Sequence, residues 1–332
     1  MSMNINMVDL RGQYEKIKSK IDKTIIETIE STKFINGPSV KKFKNNLENY
    51  LNVKHVIPCA NGTDALQIAL MALDLKKGDE IICPSFTYVS TAEVISLLGY
   101  KPIMSDVDTN TFNITAEIIK PLITKKTKVI VPVHLFGQSC DMEPIMKLAK
   151  QYNLYVVEDN AQAIGADYTF KNGKIKKSGT IGHIGTTSFF PSKNLGCYGD
   201  GGAMFTNNDI IAKKLTMIAN HGQEKKYFHK ITGCNSRLDS LQAAILDIKL
   251  NYLDDYIKSR NKMAKEYDFH FKEVNDLVIP KRQYNSSHVF HQYTLKINPN
   301  LRCNFIDYLK KYKIPVMIYY PHPLYKQKAF SK

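Results

Sequence analysis

The chain has 332 residues, of which 43% are hydrophobic, so it can bury a large core, and we expect one large and one smaller domain. Its formal net charge is +15, but the lysines are scattered in doublets, a distribution that argues against nucleic-acid binding. No apolar run approaches the roughly 18–20 residues that span a bilayer, and no signal-peptide pattern opens the chain. Its six widely spaced cysteines fit no zinc motif. We therefore expect a cytoplasmic protein with reduced, buried thiols, no metal and no membrane contact.

The first two-thirds of the chain alternate between apolar, β-rich stretches and stretches with helical spacing. Two helices, over 12–30 and 39–51, come first and are separated by a break at Asn36-Gly37-Pro38. Further helices are predicted over 63–74, 88–98, 115–123 and 141–152. The predicted strands are 53–58, 81–84, 102–106, 128–133, 154–158, 186–190 and 203–206. This alternation predicts an α/β fold with a mostly parallel central sheet that helices cover on both faces.

The last third follows a different pattern. A helix is predicted over 207–220, and 236–270 reads as one long helix or two joined ones. Beyond about residue 275, short strands within 289–297, a helix near 303–312 and an apolar run over 315–321 predict a smaller α+β domain. We place the boundary after residue 250, which gives a large domain over 1–250 and a small domain over 251–332.

One lysine stands between a predicted strand end and a run of glycines. The strand over 186–190 ends at Pro191, because proline has no amide hydrogen for the sheet ladder. Lys193 follows, and four glycines come before residue 203. Glycine at this density lets the main chain approach a ligand closely, and a lysine whose charge is suppressed is an amine nucleophile. The alternative is a solvated surface lysine, the ordinary state of this residue type.

The stretch Asn61-Gly62-Thr63-Asp64 lies where a predicted strand passes into a helix. Free N–H groups and the positive end of the helix dipole make such a position an anion site, and Gly62 and Thr63 would let backbone and hydroxyl reach a phosphate. The alternative is an ordinary helix start capped by Thr63 or Asp64. The residues by themselves leave both possibilities open.

Two further strand ends carry side chains that suit a flat, charged ring. Asp159 ends a predicted central strand, at the edge where open α/β sheets bind ligands, and its carboxylate could hold a protonated ring nitrogen. The aromatic rings of Phe86 and Tyr88 follow another strand and could stack on the ligand. Turn capping by Asp159 and core packing of either aromatic ring are the alternatives. Pyridoxal phosphate requires a phosphate cradle, a partner for its ring nitrogen, a stacking surface and a lysine for a Schiff base, so together these features predict that cofactor.

The same motifs carry a family resemblance. The chain resembles the DegT/DnrJ-type nucleotide-sugar aminotransferases in five motifs that occur in order: Asn61-Gly-Thr-Asp-Ala-Leu, Pro84-x-Phe-Thr-Tyr-Val-x-Thr, Val157-Glu-Asp-Asn-Ala-Gln, Ser188-Phe-Phe-Pro-Ser-Lys and Asn235-Ser-Arg-Leu-Asp. The resemblance runs from about residue 8 to 330. It implies a fold-type-I, aspartate-aminotransferase-like large domain, pyridoxal phosphate as cofactor and a homodimer.

The resemblance also implies roles for individual residues. Lys193 would form the Schiff base and carry the proton, which favours transamination, because the dehydratases of the family have histidine there. Asp159 would pair with the ring nitrogen, Gln162 would contact the ring near its hydroxyl, and Tyr88 would stack on it. The implied phosphate ligands are Gly62, Thr63, Ser188 and, from the partner subunit, Asn235.

Substrate contacts are less tightly specified. The motifs around Lys193, His221-Gly-Gln223 and Tyr320-Pro-His-Pro-Leu-Tyr-Lys-Gln are most similar to those of members that aminate UDP-2-acetamido-2-deoxy-3-oxo-glucuronate for cell-surface polysaccharide of the O-antigen type, with glutamate as amino donor. Arg237 would suit the carboxylate of a uronic acid sugar, or else pair with Asp239. Tyr320 and His322 would contact the nucleotide sugar, or else serve packing.

Two other outcomes remain open. The chain stops at Lys332, where the resemblance leads us to expect a further unit that closes the small domain, so we expect that domain to be incomplete. A truncated protein that binds the cofactor with impaired catalysis is therefore one alternative. An aminotransferase acting on a dTDP-3-keto-6-deoxyhexose is the other.

Overall fold

A computed structural model describes residues 5–330. Its helices are α1 (Leu10–Glu30), α2 (Pro38–Leu51), α3 (Gly62–Met71), α4 (Ser90–Leu97), α5 (Ala116–Ile119), α6 (Met142–Tyr152), α7 (Asp209–Ala219), α8 (Ser240–Leu250), α9 (Leu253–Phe271) and α10 (Arg302–Lys311). Its strands are β1 (His55–Cys59), β2 (Glu80–Pro84), β3 (Lys101–Ser105), β4 (Thr127–Ile130), β5 (Tyr155–Asp159), β6 (Asp167–Thr169), β7 (Ile175–Lys177), β8 (Ile184–Ser188), β9 (Gly202–Thr206), β10 (Gln223–Lys225), β11 (Phe228–His229), β12 (Leu277–Val278) and β13 (Lys296–Ile297).

A seven-stranded sheet forms the centre of the molecule, in the order β1-β9-β8-β5-β4-β2-β3. The pairs β2–β3, β2–β4, β4–β5 and β5–β8 are parallel, and only β9 runs against its two neighbours. The prediction of a mostly parallel sheet is therefore confirmed. Strands β1, β5 and β8 end at the same edge, which brings the residues that follow them together.

Helices cover both faces of this sheet, and alternate strand residues face opposite layers. Ile81 and Val157 belong to the cluster that includes α3 and α7, whereas their chain neighbours Ile82 and Val156 belong to the cluster that includes α6. A further cluster packs α2 and α8 against β1 and β9. Each inner strand is thus apolar on both faces. The strands therefore appear in the sequence as continuous apolar runs.

Several predicted elements differ from those observed. The stretch 236–270 forms two helices, α8 and α9, and the predicted domain boundary after residue 250 falls in the turn between them. The prediction of strands across 289–297 is wrong for all but β13, and the apolar run 315–321 forms no strand. The hairpins β6–β7 and β10–β11 were not anticipated. Cys303 is exposed, contrary to the prediction that the cysteines are buried.

The C-terminal part rests on the edge of the large sheet. The N–H of Leu324 donates a hydrogen bond to the carbonyl of Ser85 over 2.8 Å, and the Leu324 side chain is buried in the main core. By contrast, α10 contributes no buried residue. These contacts bring the segment that carries Tyr320 and His322 close to the ends of the strands. The division into two domains stays a prediction.

Candidate active site

Lys193 lies in a tight loop that follows β8. Its N–H donates to the carbonyl of Phe190 over 2.8 Å, and the N–H of Cys197 closes the loop on the carbonyl of Phe189 at the same distance. A side chain at Gly196 would place its Cβ 2.4 Å from the Pro191 carbonyl oxygen, so only glycine fits that position. Burial lowers the pKa of Lys193 to about 8, while the charge of Asp159 opposes the shift. These surroundings differ from those of a solvated surface lysine, and they make the neutral amine accessible near neutral pH.

Asp159 is buried at the end of β5, and both of its carboxylate oxygens are held. Oδ2 accepts a hydrogen bond from the Thr91 hydroxyl over 2.9 Å, and Oδ1 accepts one from the N–H of Ala161 over 3.1 Å. Since a carboxylate offers about four lone-pair sites, capacity remains for one more donor. The carboxylate therefore fulfils the turn-capping role and is still able to receive a ring N–H.

Helix α3 begins at this edge with two unsatisfied backbone donors. Its N-cap is Asn61, not Thr63 or Asp64: the Asn61 side chain accepts from the N–H of Asp64 over 2.8 Å, and its carbonyl accepts from that of Ala65. The N–H groups of Gly62 and Thr63 thus have no partner within residues 5–330.

Ser188 adjoins this helix start. A Cβ at Gly62 would lie 2.6 Å from the Cβ of Ser188, so only glycine lets the start of α3 approach Ser188 this closely. Free N–H groups at a helix N-terminus and a neighbouring hydroxyl suit a phosphate. Gly62, Thr63 and Ser188 thus lie together at the start of α3, as the family resemblance implies.

Gln162 is held in one orientation between two elements. Its Oε1 accepts from the N–H of Phe136 over 2.7 Å, and its Nε2 donates to the hydroxyl oxygen of Tyr320 over 3.2 Å. The ring of Tyr320 packs edge-on against Phe86, with ring centroids 5.6 Å apart. Burial raises the pKa of Tyr320 to about 12, and the charge of Asp159 adds to the shift. Tyr320 therefore remains a hydroxyl donor at any working pH.

Four of the sequence-predicted site residues make few contacts in the single chain. Tyr88 is 59% exposed, and Asn235 and His322 are exposed. Arg237 is partly buried and forms no ion pair with Asp239 or with any other described residue. The ion-pair alternative for Arg237 is thus not realised in residues 5–330.

Sequence reasoning missed one buried hydrogen-bonded pair beneath the site. His134 and Glu158 are fully buried, with Nε2 donating to Oε2 over 2.8 Å, and Glu158 also accepts from the N–H groups of Gly179, Ile181 and Gly182. Although burial alone would raise the pKa of Glu158, these hydrogen bonds hold it below its usual value. The pair ties the 179–182 turn to the strand that ends in Asp159.

The residues present fit pyridoxal phosphate. Two free N–H groups beside Ser188 suit the phosphate, the spare capacity of Asp159 suits a ring N–H, and the lysine with a lowered pKa lies close enough to Asp159 for their charges to interact. The part of the chain that the model describes contains no cluster of side chains suited to a metal ion, nor a helix long and apolar enough to cross a membrane.

Comparisons with known proteins agree with this arrangement. The chain is 46% identical over 331 residues to a pleiotropic regulatory protein of Geobacillus stearothermophilus, an alignment that covers 99% of this chain and 87% of that protein. It is 44% identical over 327 residues to the UDP-2-acetamido-2-deoxy-3-oxo-D-glucuronate aminotransferase of Pseudomonas aeruginosa, with 98% of this chain and 89% of that protein covered.

Solved structures give the same result. DesV of S. venezuelae superposes with a TM-score of 0.94 at 32% identity, over 99% of this chain and 86% of that one. NtdA of Bacillus subtilis, determined with bound PMP, superposes with a TM-score of 0.86 at 33% identity, over 94% and 71% of the two chains. The model of the DegT/DnrJ/EryC1/StrS aminotransferase family matches residues 15–332. The chain therefore belongs to the DegT/DnrJ/EryC1/StrS aminotransferase family and is a pyridoxal-phosphate-dependent aminotransferase.

Proposed function

We propose that the protein transfers an amino group from glutamate to the 3-keto carbon of UDP-2-acetamido-2-deoxy-3-oxo-glucuronate, for the synthesis of a cell-surface polysaccharide of the O-antigen type. The observation that carries the reaction is that Lys193, whose pKa is lowered to about 8, lies within reach of the charge of the buried Asp159 carboxylate at the sheet edge. The choice of sugar is supported by the 44% identical relative that bears this substrate in its name. Both substrates imply a cytoplasmic site of action, and neither calls for a nucleic-acid or membrane partner.

Each proposed cofactor residue has a defined task. When bound, pyridoxal phosphate supplies the aldehyde through which the amino group is exchanged and a ring that stabilises negative charge on carbon. Gly62, Thr63 and Ser188 hold its phosphate, Gln162 contacts it near the ring hydroxyl, and Tyr88 stacks on the ring. These assignments are supported by the free N–H groups at the start of α3 and by the fixed amide of Gln162.

Two of these residues act on protons. Asp159 accepts a hydrogen bond from the ring N–H and keeps that nitrogen protonated, which makes the ring a better electron acceptor. Lys193 Nζ carries a proton to and from the reacting carbon, a task for which a pKa near the working pH is favourable.

Substrate recognition falls to three residues near the same edge. Arg237, which has no acidic partner among the described residues, would bind the sugar carboxylate through a bidentate pair of hydrogen bonds. Tyr320, whose ring lies among Phe86 and Gln162, and His322, which is exposed two residues later, would contact the nucleotide sugar. In this proposal the small domain, over 251–332, supplies both of the latter.

We infer further that the working form is a homodimer, in which Asn235 reaches the phosphate of the partner's cofactor. Exposed aromatic side chains in and beside the hairpin β10–β11 support this inference: Tyr227 is 78% and Phe228 72% exposed, just ahead of Asn235 in the chain. Apolar surface of this kind favours an interface between protein chains. A partner subunit would also cover Tyr88.

A second candidate function is regulation. The 46% identical relative is named a pleiotropic regulatory protein, so the alternative is a cofactor-binding protein of this family that acts in regulation. An aminotransferase for a dTDP-3-keto-6-deoxyhexose is the enzymatic alternative, and it would have no use for the free guanidinium of Arg237.

One experiment separates these functions. The purified holoprotein is mixed with glutamate while the absorbance of the cofactor is followed, and UDP- and dTDP-linked 3-keto sugars are then added separately. We expect glutamate to convert the cofactor to its amine form and only the UDP-uronic acid to convert it back, with both changes abolished in Lys193→Ala. Lys128→Ala is the control, since Lys128 is an exposed lysine near the start of β4, at the opposite end of that strand from the site. No change with glutamate, or borohydride trapping without a pyridoxyl label on Lys193, would refute the proposal.

A further inference from the structure

The turn over residues 134–138, which follows β4, contacts two of the proposed cofactor residues through its backbone. The N–H of His134 donates to the carbonyl of Asp159 over 3.0 Å. The N–H of Phe136 donates to Oε1 of Gln162 over 2.7 Å. The path of this turn therefore determines where the Gln162 amide is held.

Part of the 134–138 turn has a backbone conformation that is unusual for its residues. Phe136 has φ +59°, in the left-handed region that a residue with a bulky side chain rarely adopts. Gly137 follows with φ +110°, and a Cβ there would lie 2.8 Å from the backbone nitrogens of Phe290 and His291. A left-handed phenylalanine persists only where the surrounding contacts hold it. The contacts that hold this turn therefore also hold its hydrogen bond to Gln162.

Asn113 connects the two ends of the turn. Its side chain is only 1% exposed, and Oδ1 accepts a hydrogen bond from the N–H of Leu135 over 3.0 Å, which that N–H shares with the carbonyl of Val133. Nδ2 donates to the carbonyl of Gln138 over 3.0 Å. The orientation of the amide is fixed, because a backbone N–H can only donate and a carbonyl can only accept. One buried side chain thus spans the turn from one side of Phe136 to the other.

The loop before Asn113 places this side chain. The Asn113 carbonyl accepts from the N–H of Asp108 over 2.9 Å, and the N–H of Phe112 donates to the carbonyl of Asp108 over 2.8 Å. Phe112 is itself left-handed, with φ +60°, and its ring packs against that of Phe136 with centroids 5.5 Å apart. Two consecutive residues therefore support the same turn, one through its ring and the other through its amide.

We propose that Asn113 is a positioning residue for the cofactor site: it acts through the 134–138 turn to hold the Gln162 amide in place. Its two hydrogen bonds keep Phe136 in the left-handed conformation, in which the Phe136 N–H faces Oε1 of Gln162. Asn113 thereby strengthens cofactor binding through Gln162 rather than by its own contact. The inference rests on the contact between Gln162 and the cofactor in the proposed function.

Hydrogen exchange of the Phe136 amide in cofactor-free protein tests the first step of this proposal. The exchange rate is measured by NMR in wild type, Asn113→Leu, Gln162→Ala and the double variant. Leucine has nearly the shape of asparagine but offers neither a donor nor an acceptor. We expect each single substitution to speed exchange about tenfold, the equivalent of about 1.4 kcal/mol. Because both act on the same hydrogen bond, the double variant should exchange within about twofold of Gln162→Ala.

The dissociation constant of pyridoxal phosphate, measured by equilibrium dialysis, tests the second step with the same four proteins. We expect Asn113→Leu to weaken binding about tenfold when Gln162 is present and less than about twofold in the Gln162→Ala background. Asn46→Leu is the matched control. It also removes a hydrogen bond of an asparagine amide, that of Nδ2 to Asp247 Oδ1 over 2.6 Å, but this bond joins α2 to α8. It should change neither the exchange of Phe136 nor cofactor binding.

The outcomes distinguish this inference from the proposed function. Wild-type exchange of Phe136 in Asn113→Leu, or independent effects of the Asn113 and Gln162 substitutions on cofactor binding, would overturn the inference and leave the role of Gln162 intact. Full cofactor affinity in Gln162→Ala would instead remove the contact of Gln162 from the proposed function, and the inference with it. Should Asn113→Leu fail to fold, as judged by circular dichroism, Asn113→Ser replaces it in both measurements.

Discussion

The hydrogen bond between Thr91 and Asp159 offers a direct test of how the ring-binding carboxylate is held. The Thr91 hydroxyl donates to Oδ2 over 2.9 Å between two buried residues, and Thr91→Val replaces it with a methyl group of nearly equal size. A hydrogen bond to a charged group contributes about 1.5–3 kcal/mol, and the Ala161 N–H remains as the other donor. We therefore expect Thr91→Val to lower the unfolding free energy of cofactor-free protein by about 2 kcal/mol.

Urea titration in a double-mutant cycle measures this interaction. Asp159→Ala removes the acceptor, so Thr91→Val should cost far less in that background, and the coupling energy should be about 1.5–3 kcal/mol. With cofactor bound, the ring N–H gives Asp159 a new donor, and we expect the cost of Thr91→Val to shrink. Thr187→Val is the matched control, because this buried hydroxyl donates over 3.3 Å to a neutral carbonyl, that of Asn160. A coupling energy near zero would refute the reasoning.

Three further predictions concern the substrate, the dimer and pH. Arg237→Gln should raise KM for the UDP-uronic acid about 10- to 100-fold, because the charged hydrogen bonds to the sugar carboxylate are lost. KM for a sugar without a carboxylate should stay unchanged. Equal effects on both substrates would show that Arg237 does not bind the carboxylate. Lys193→Ala and Asn235→Ala should each be inactive alone, but co-expression of the two variants should restore activity. If sites are shared between subunits, a mixed dimer contains one site in which both Lys193 and Asn235 are intact. No recovery would argue against shared sites. The pKa of Lys193 is lowered from 10.5 to about 8, so between these pH values the unfolded chain binds more protons, and the contribution of Lys193 to stability rises with pH. In Lys193→Met, this pH-dependent contribution is absent. The difference in unfolding free energy between Lys193→Met and wild type, measured without cofactor, should therefore change by about 2–3 kcal/mol in favour of wild type from pH 8 to 10.5. A difference that does not change with pH would contradict the lowered pKa of Lys193.

The central sheet was predictable because its strands are apolar on both faces. Runs such as 154–158 and 81–84 lie within one or two residues of β5 and β2. The stretch 289–297 misled the same reasoning. Val289 and Phe290 are apolar and buried, but their backbone partners are Gly137, Asn194 and Arg260 rather than a neighbouring strand. Apolar character reports burial, and it does not by itself distinguish a strand from a buried turn.

The residues of the candidate site also differ in how well the sequence predicts them. Lys193, Asp159 and the Gly62-Thr63 pair were predictable, because each follows a recognisable strand and has a chemical type that the cofactor needs. Thr91 was not, because its importance arises from a hydrogen bond to a residue 68 positions away. Single-sequence patterns carry no information on such distant partners, so the supporting residues of a site are harder to predict than the residues that touch its ligand.

The orientation of Gln162 shows how such a distant contact can assign a chemical role. A backbone N–H can only donate, so the N–H of Phe136 requires the oxygen of the Gln162 amide on its side, and the NH₂ group must face Tyr320. The Tyr320 oxygen then acts as the acceptor, and its own proton is left for another partner. Because the pKa of Tyr320 is raised to about 12, that proton stays in place, and Tyr320 is available as a donor but not as a base. The predicted contact between Tyr320 and the nucleotide sugar therefore has a defined form, a hydrogen bond given to an oxygen of the substrate, and it depends on a backbone amide 184 positions earlier in the chain.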